Sequence, residues 1–305
     1  MNNNQDPFFN QLDLSDLVIY LFKQWRIFAF SIGACFIIFS LIALNLTKTW
    51  SSDALLVEAS SSSGGTNSST SDLLADLTGV NLASGQSDVL RTVKRKLRTK
   101  DFFASLIEDE EFLIEIVAVS GYDEKTAATL YDPTIYDTIK STWVSKPSFF
   151  NSFDAYLSIV SAGFLDETTG DFFVIKAEHK SPESAKYIVQ KLILQLNELQ
   201  RQEDIVSADN MLEYLQDELI KTNQISIQQA INGLIDNQIK TKTFANVKAE
   251  YVIKTIDSPY IPERRTSPRR GFFVISATFI VQILLAIFLA AKLIYSKSNF
   301  KLSNL

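Results

Sequence analysis

Two stretches of this chain are apolar without a charge, and between them the pattern alternates between strand spacing and helical stripes. Ile27–Leu46, IFAFSIGACFIIFSLIALNL, and Gly271–Ala291 each run for about 20 residues. That is the length an α-helix needs to cross a hydrocarbon layer of about 30 Å. A signal peptide would have an apolar core of about 7–15 residues and a small-residue cleavage site. The first run is longer, starts late and ends in LNLTKTW, so it reads as a retained helix. Ahead of it, Leu14, Leu17, Val18 and Leu21 of DLSDLVIYLFKQWR fall at helical spacing, with Asp13 or Ser15 as cap. They predict an amphipathic helix at the interface that enters the bilayer near Trp25.

Between the runs, Trp50–Glu58 predicts a strand and Ser60–Ser71, SSSSGGTNSSTS, a flexible tract. Gly64-Gly65 is not followed by GK[ST] and makes no phosphate loop. Ser87–Ile107 predicts one or two helices, with Val89, Leu90, Val93 and Leu97 on one face. Arg91, Lys94, Arg95, Lys96, Arg98 and Lys100 make the other side basic. It is a solvated face or a contact for anionic lipid heads or glycan. Glu108–Val119 predicts another helix, acidic at its N-terminal end. Asp132-Pro133 and Lys146-Pro147-Ser148 mark turns or caps. Leu157–Ala162 and Phe172–Ala177 predict an antiparallel hairpin around DETTG.

Ser181 as cap and Pro182 at the first helical position open a helix that runs to about Lys221, some 60 Å. Its apolar stripe, Ala185, Val189, Leu192, Leu196 and Leu199, shifts after the polar Arg201–Asp204, so it is not one strict coiled-coil seam. Thr222-Asn223 ends it, and Ser226 with Gln229 predicts a capping box for a returning helix. Ala249–Ile256 predicts a strand. Pro259, Pro262 and Pro268 then make residues 257–270 a stiff, extended strut into the second apolar run. The fold class that follows is α+β: two transmembrane helices, 27–46 and 271–291, flank a domain of residues 47–270. That domain holds a small membrane-proximal mixed sheet and a long projecting helical hairpin at about 182–247. The hairpin's stripes are wider than one partner helix covers, which favours a homo-oligomer.

Composition narrows the chemistry. The 305 residues carry net charge −6, too acidic for a general nucleic-acid field. Cys35 is the single cysteine and lies in the first apolar run. His179 is the single histidine and is expected to be structural. No catalytic residue, metal ligand or cofactor site emerges from these patterns, and the expectation is a non-enzyme. Both termini are expected on one side of the membrane. Positive charges do not say which: Lys23, Arg26, Lys292, Lys297 and Lys301 balance Lys48, Arg264, Arg265, Arg269 and Arg270. Within the spans, Ala29 with Gly33 and Ala286 with Ala290 have the spacing for close helix approach, and Gln282 can hydrogen-bond across helices.

Taken in order, several stretches resemble the Wzz-type chain-length determinants, the polysaccharide co-polymerases of bacterial inner membranes. They are DLSDLVIYLFKQWR, the DPTIYD…W…KPS stretch at 132–148, FFVIKAEHKSPESAKYIVQKLILQLN, and IDSPYIPERRTSPRR with its Pro259, Pro262, Pro268, Arg269 and Arg270. The resemblance covers nearly the whole chain. It implies cytoplasmic termini (1–26 and 292–305) and a periplasmic domain. It also implies ring-like homo-oligomers that work with an integral-membrane polysaccharide polymerase on a lipid-linked glycan, O-antigen or a related polymer. Two features depart from the family: the two arginine pairs in the strut and the short arm. An export adaptor coupled to a capsule or exopolysaccharide transporter is the alternative. A two-span sensor, or a relative with a C-terminal tyrosine kinase, would need more than the 13 residues after Lys292.

Overall fold

The computed structural model describes residues 23–59, 86–166 and 172–302. The expected amphipathic segment before residue 23, the Ser60–Ser71 tract and most of the DETTG loop lie outside the described residues. The chain forms two compact units. One comprises Met1–Lys48 with Thr266–Leu305; the other is Thr49–Arg265.

In the first unit, α1 (Trp25–Asn45) is one of the two apolar helices. The second unit opens with β1 (Trp50–Glu58), then α2 (Gln86–Lys96), α3 (Lys100–Leu106) and α4 (Glu110–Val117). Thr99 caps α3 by accepting from the Phe102 amide, and Asp109 caps α4 by accepting from Glu111. Two small ladders follow: β2 (Val119–Asp123) with β3 (Ala128–Tyr131), and β4 (Tyr136–Asp137) with β5 (Thr142–Trp143). Asp132 forms the turn between them, its Oδ1 accepting from the Thr134 amide and hydroxyl.

The helix α5 (Phe149–Ile159) was not expected; a strand was predicted from Leu157. Ser148 caps it by accepting from the Asn151 amide. Phe149, Phe153 and Tyr156 then share a face at helical spacing and pack on Phe103, ring centres 5.1–5.4 Å apart. Burying those rings needs a helix, so the strand β6 starts only at Val160 and ends at Phe164. It pairs antiparallel with β7 (Phe173–His179), in the hairpin arrangement the spacing predicted.

Ser181 and Pro182 open α6 (Pro182–Lys221), which ends at Thr222 as its pattern predicts. The returning helix α7 (Ile225–Val247) differs at its start. Gln224 precedes it without a side-chain cap, and Ser226 lies inside the helix. Gln228 Nε2 reaches back to the Thr222 carbonyl, 3.0 Å, and ties the turn instead. The last strand, β8, is Ile253–Asp257. Residues 249–252, expected to be extended pairing strand, are held by Asn197 of α6. Its Oδ1 accepts from the amides of Tyr251, Val252 and Ile253. The helix α8 (Arg270–Leu302) completes the first unit.

The four-stranded sheet has order β6-β7-β1-β8 and is antiparallel throughout, where a mixed sheet was expected. β7 and β8 run the same way, but β1 lies between them, so no parallel neighbours meet. Alternate residues of β7, Phe173, Ile175, Ala177 and His179, are buried. The core cluster joins this face to Leu90 and Val93 of α2, Leu97 just after it, Phe102 and Phe103 of α3, and Ile188, Leu192 and Leu196 of α6. Beyond residue 200, α6 buries Ala208 and Leu215 alongside α7, which buries Ile231 and Ala245. Lys242 of α7 pairs with Asp209 of α6 at 2.6 Å.

Candidate functional site

The first unit is an apolar helix pair. Trp25–Asn45 and Arg270–Lys292 both have mean hydropathy 2.6 and are long enough to cross a membrane. Only 6% and 17% of their most apolar stretches are buried, unlike the core helix of a soluble domain. Across the pair, Gln282 Nε2 donates to Ser31 Oγ at 3.1 Å, and Gln282 Oε1 is buried without a partner. Phe39 meets Phe273 edge-on at 6.4 Å, and Arg270 donates to the Leu44 carbonyl at 3.3 Å. Ala286 and Ala290 are half-buried on the Gln282 side of α8. Ala29 and Gly33 are exposed, and a Cβ on Gly33 would meet no atom within 4 Å. That pair therefore does not lie in the contact between α1 and α8.

In the second unit, Pro259 and Pro262 of the strut are buried. Ser52 of β1, itself fully buried, donates to the Tyr260 carbonyl at 2.8 Å. This bond fastens the strut's first half to the central strand. Pro268 follows a cis bond and is half-buried, and Arg269 is exposed. Beside the docked strut lies an open cavity of about 770 Å³, whose lining includes Trp50, Tyr122, Glu124, Glu263, Arg264 and Arg265. Trp50 and Tyr122 meet at 5.3 Å with their planes 70° apart. The lining includes no histidine, cysteine or serine. It offers guanidinium donors, carboxylate acceptors and apolar walls, groups that can hold a polar ligand. Sequence reasoning singled out the prolines and arginines here but not Trp50 or Tyr122. These residues come from distant points in the chain, and only the fold brings them together.

The basic helix is partly consumed by its own domain. Lys96 bridges Glu203 at 2.7 Å and also reaches Gln200. Lys94 sits 5.6 Å from the Phe164 ring centre, and Lys100 sits 4.8 Å from that of Phe150. Arg95 and Arg98 remain exposed. His179 is buried, and its Nδ1 accepts from the Ser181 amide at 3.4 Å. Burial, and then the charge on Lys180, push the imidazole down to about 4, so it is neutral at physiological pH. That is the structural role expected of it. Asp109 is held below the usual carboxylate range, first by the hydrogen bond from Lys191. Among the described residues, no group of three or more His, Cys, Asp or Glu side chains is placed to hold a metal ion.

Among proteins of solved structure, the chain is similar to a fragment of WzzB, a polysaccharide co-polymerase from Salmonella Typhimurium. That match has 15% identity and a TM-score of 0.34, and covers 72% of this chain and 100% of the other. This is a likeness to polysaccharide co-polymerases. A full-length bacterial polysaccharide co-polymerase is similar at 12% identity and TM-score 0.35, over 95% of this chain and 98% of its own. No protein-family model and no curated protein matches the chain.

Proposed function

We propose that this chain is a non-enzymatic regulator of bacterial surface polysaccharide chain length. It acts as a homo-oligomer in the inner membrane, beside an integral-membrane polymerase that extends a lipid-linked glycan such as O-antigen. In this reading both termini are cytoplasmic and residues 47–270 are periplasmic. The α6–α7 arm carries the reading. Its exposed surface includes Val206, Met211, Tyr214, Ile220, Ile225 and Ile239, apolar side chains that side-by-side copies would cover. The ordered motifs that resemble the chain-length determinants, ending in IDSPYIPERRTSPRR, supply the rest. In this reading, influence on a glycan runs through binding, assembly and the surface a ring of copies presents.

Deletion of the gene, followed by gel separation of the surface polysaccharide, tests this. Loss of the preferred length, with polymer still on the surface, is the expected result. An unchanged ladder removes the reading, and disappearance of surface polymer altogether points to the export adaptor instead.

A further inference from the structure

Assembly through the arm makes no use of the cavity beside the strut. We propose that this cavity binds a glycosyl phosphate: a sugar joined to a phosphate ester. The proposal takes its biological setting from the chain-length reading above, and its chemistry from the lining alone. Arg264 and Arg265 are exposed at the cavity, and each guanidinium presents a planar fork of donors that matches phosphate oxygens. Glu124 and Glu263 bring carboxylates to the same space. A site for bare phosphate or an anionic lipid head would gain from a net positive lining, and the carboxylates would work against it. Carboxylates beside arginines suit a ligand with an anionic end and a polyhydroxylated end, whose O–H groups donate to Glu263.

The walls agree with this. Tyr122, set edge-on against the buried Trp50, and the buried Pro262 offer apolar faces for the C–H side of a sugar ring. The volume, about 770 Å³, lies within the ordinary range of small-molecule sites. The scaffold is fixed on both sides: Trp50 pairs with His179 in the sheet, and the Ser52 bond holds the strut at Tyr260.

The test is calorimetric titration of the full-length protein in detergent. The sugar probes are the 1-phosphates of glucose, galactose and N-acetylglucosamine. The controls are free glucose, inorganic phosphate and glycerol 3-phosphate, the last standing for a lipid head. At least one sugar 1-phosphate is expected to bind about tenfold more tightly than every control. The double variant R264Q/R265Q should weaken it about tenfold or more with an unchanged melting midpoint. E263Q should weaken the sugar 1-phosphate and leave inorganic phosphate unchanged or tighter. Inorganic phosphate or glycerol 3-phosphate binding as tightly as the sugar phosphates overturns the proposal, as does indifference to the arginine variant. Failure of all probes while gene deletion still abolishes the preferred length removes this site and leaves the chain-length reading standing.

Discussion

Replacing Asn197 with alanine removes one side-chain oxygen and strands three backbone donors. Asn197 Oδ1 lies 3.1, 2.8 and 3.1 Å from the amides of Tyr251, Val252 and Ile253, and its Nδ2 donates to the Ile253 carbonyl at 3.1 Å. Asn197, Tyr251 and Ile253 are buried, while Val252 is half-buried and can turn to water. A buried donor left without an acceptor costs about 1–3 kcal/mol. Two such donors give a loss of about 4 kcal/mol, with the Val252 amide adding little. That is a large part of the roughly 5–15 kcal/mol by which a domain is stable. The loss falls on the segment that turns the chain from α7 into β8, so the effect should also be local. Urea unfolding of the detergent-solubilised protein, followed by aromatic fluorescence, measures the first quantity. Hydrogen exchange at residues 251–253 measures the second. A loss below about 1 kcal/mol, with protection at those amides unchanged, would refute the assignment of Asn197 as the clamp on this turn.

Three further outcomes are expected. His179 titrates near 6.5 in an unfolded chain and at about 4 in the fold. Between those values the unfolded state binds more protons, so stability should rise with pH, by about 3 kcal/mol in total, and level off above 6.5. The H179Q variant should lose that slope, and a wild-type minus variant difference that stays constant from pH 4 to 6.5 contradicts it. Gln282→Leu removes the bond to Ser31 but also an acceptor buried without a partner, so the helix pair should change by less than about 1 kcal/mol. A loss above 2 kcal/mol in a steric-trapping assay would say the glutamine is a principal tie. Pro259→Ala with Pro262→Ala should broaden the length distribution on a polysaccharide gel while the protein stays in the membrane by immunoblot. Unaltered lengths would make the strut a plain linker.

Several features are determined by the sequence alone because their causes are local. Two uncharged runs of helical length need no partner to be recognised, since length and composition set them. The bounds of α6 follow from Ser181, Pro182 and the Thr222 break, because a helix end is decided by the dihedrals and donors of a few adjacent residues. The strand β1 and the pairing of β6 with β7 followed from short apolar runs, the latter two joined by a Gly-containing loop. What the tertiary structure decided involves residues far apart in the chain. LSIVSA has strand propensity, yet Phe153 and Tyr156 gain more by packing on Phe103 as a helix, so the boundary moved to Val160. Lys96 looked like part of a solvated stripe until α6 placed Glu203 beside it. Asn197 is one polar residue among the apolar positions of a long helix, and its three amide partners lie more than fifty residues onward. The cavity is the extreme case, joining Trp50, Tyr122 and Arg264. Periodicity reports which way a side chain faces on its own element, and says nothing about which distant element will come to face it.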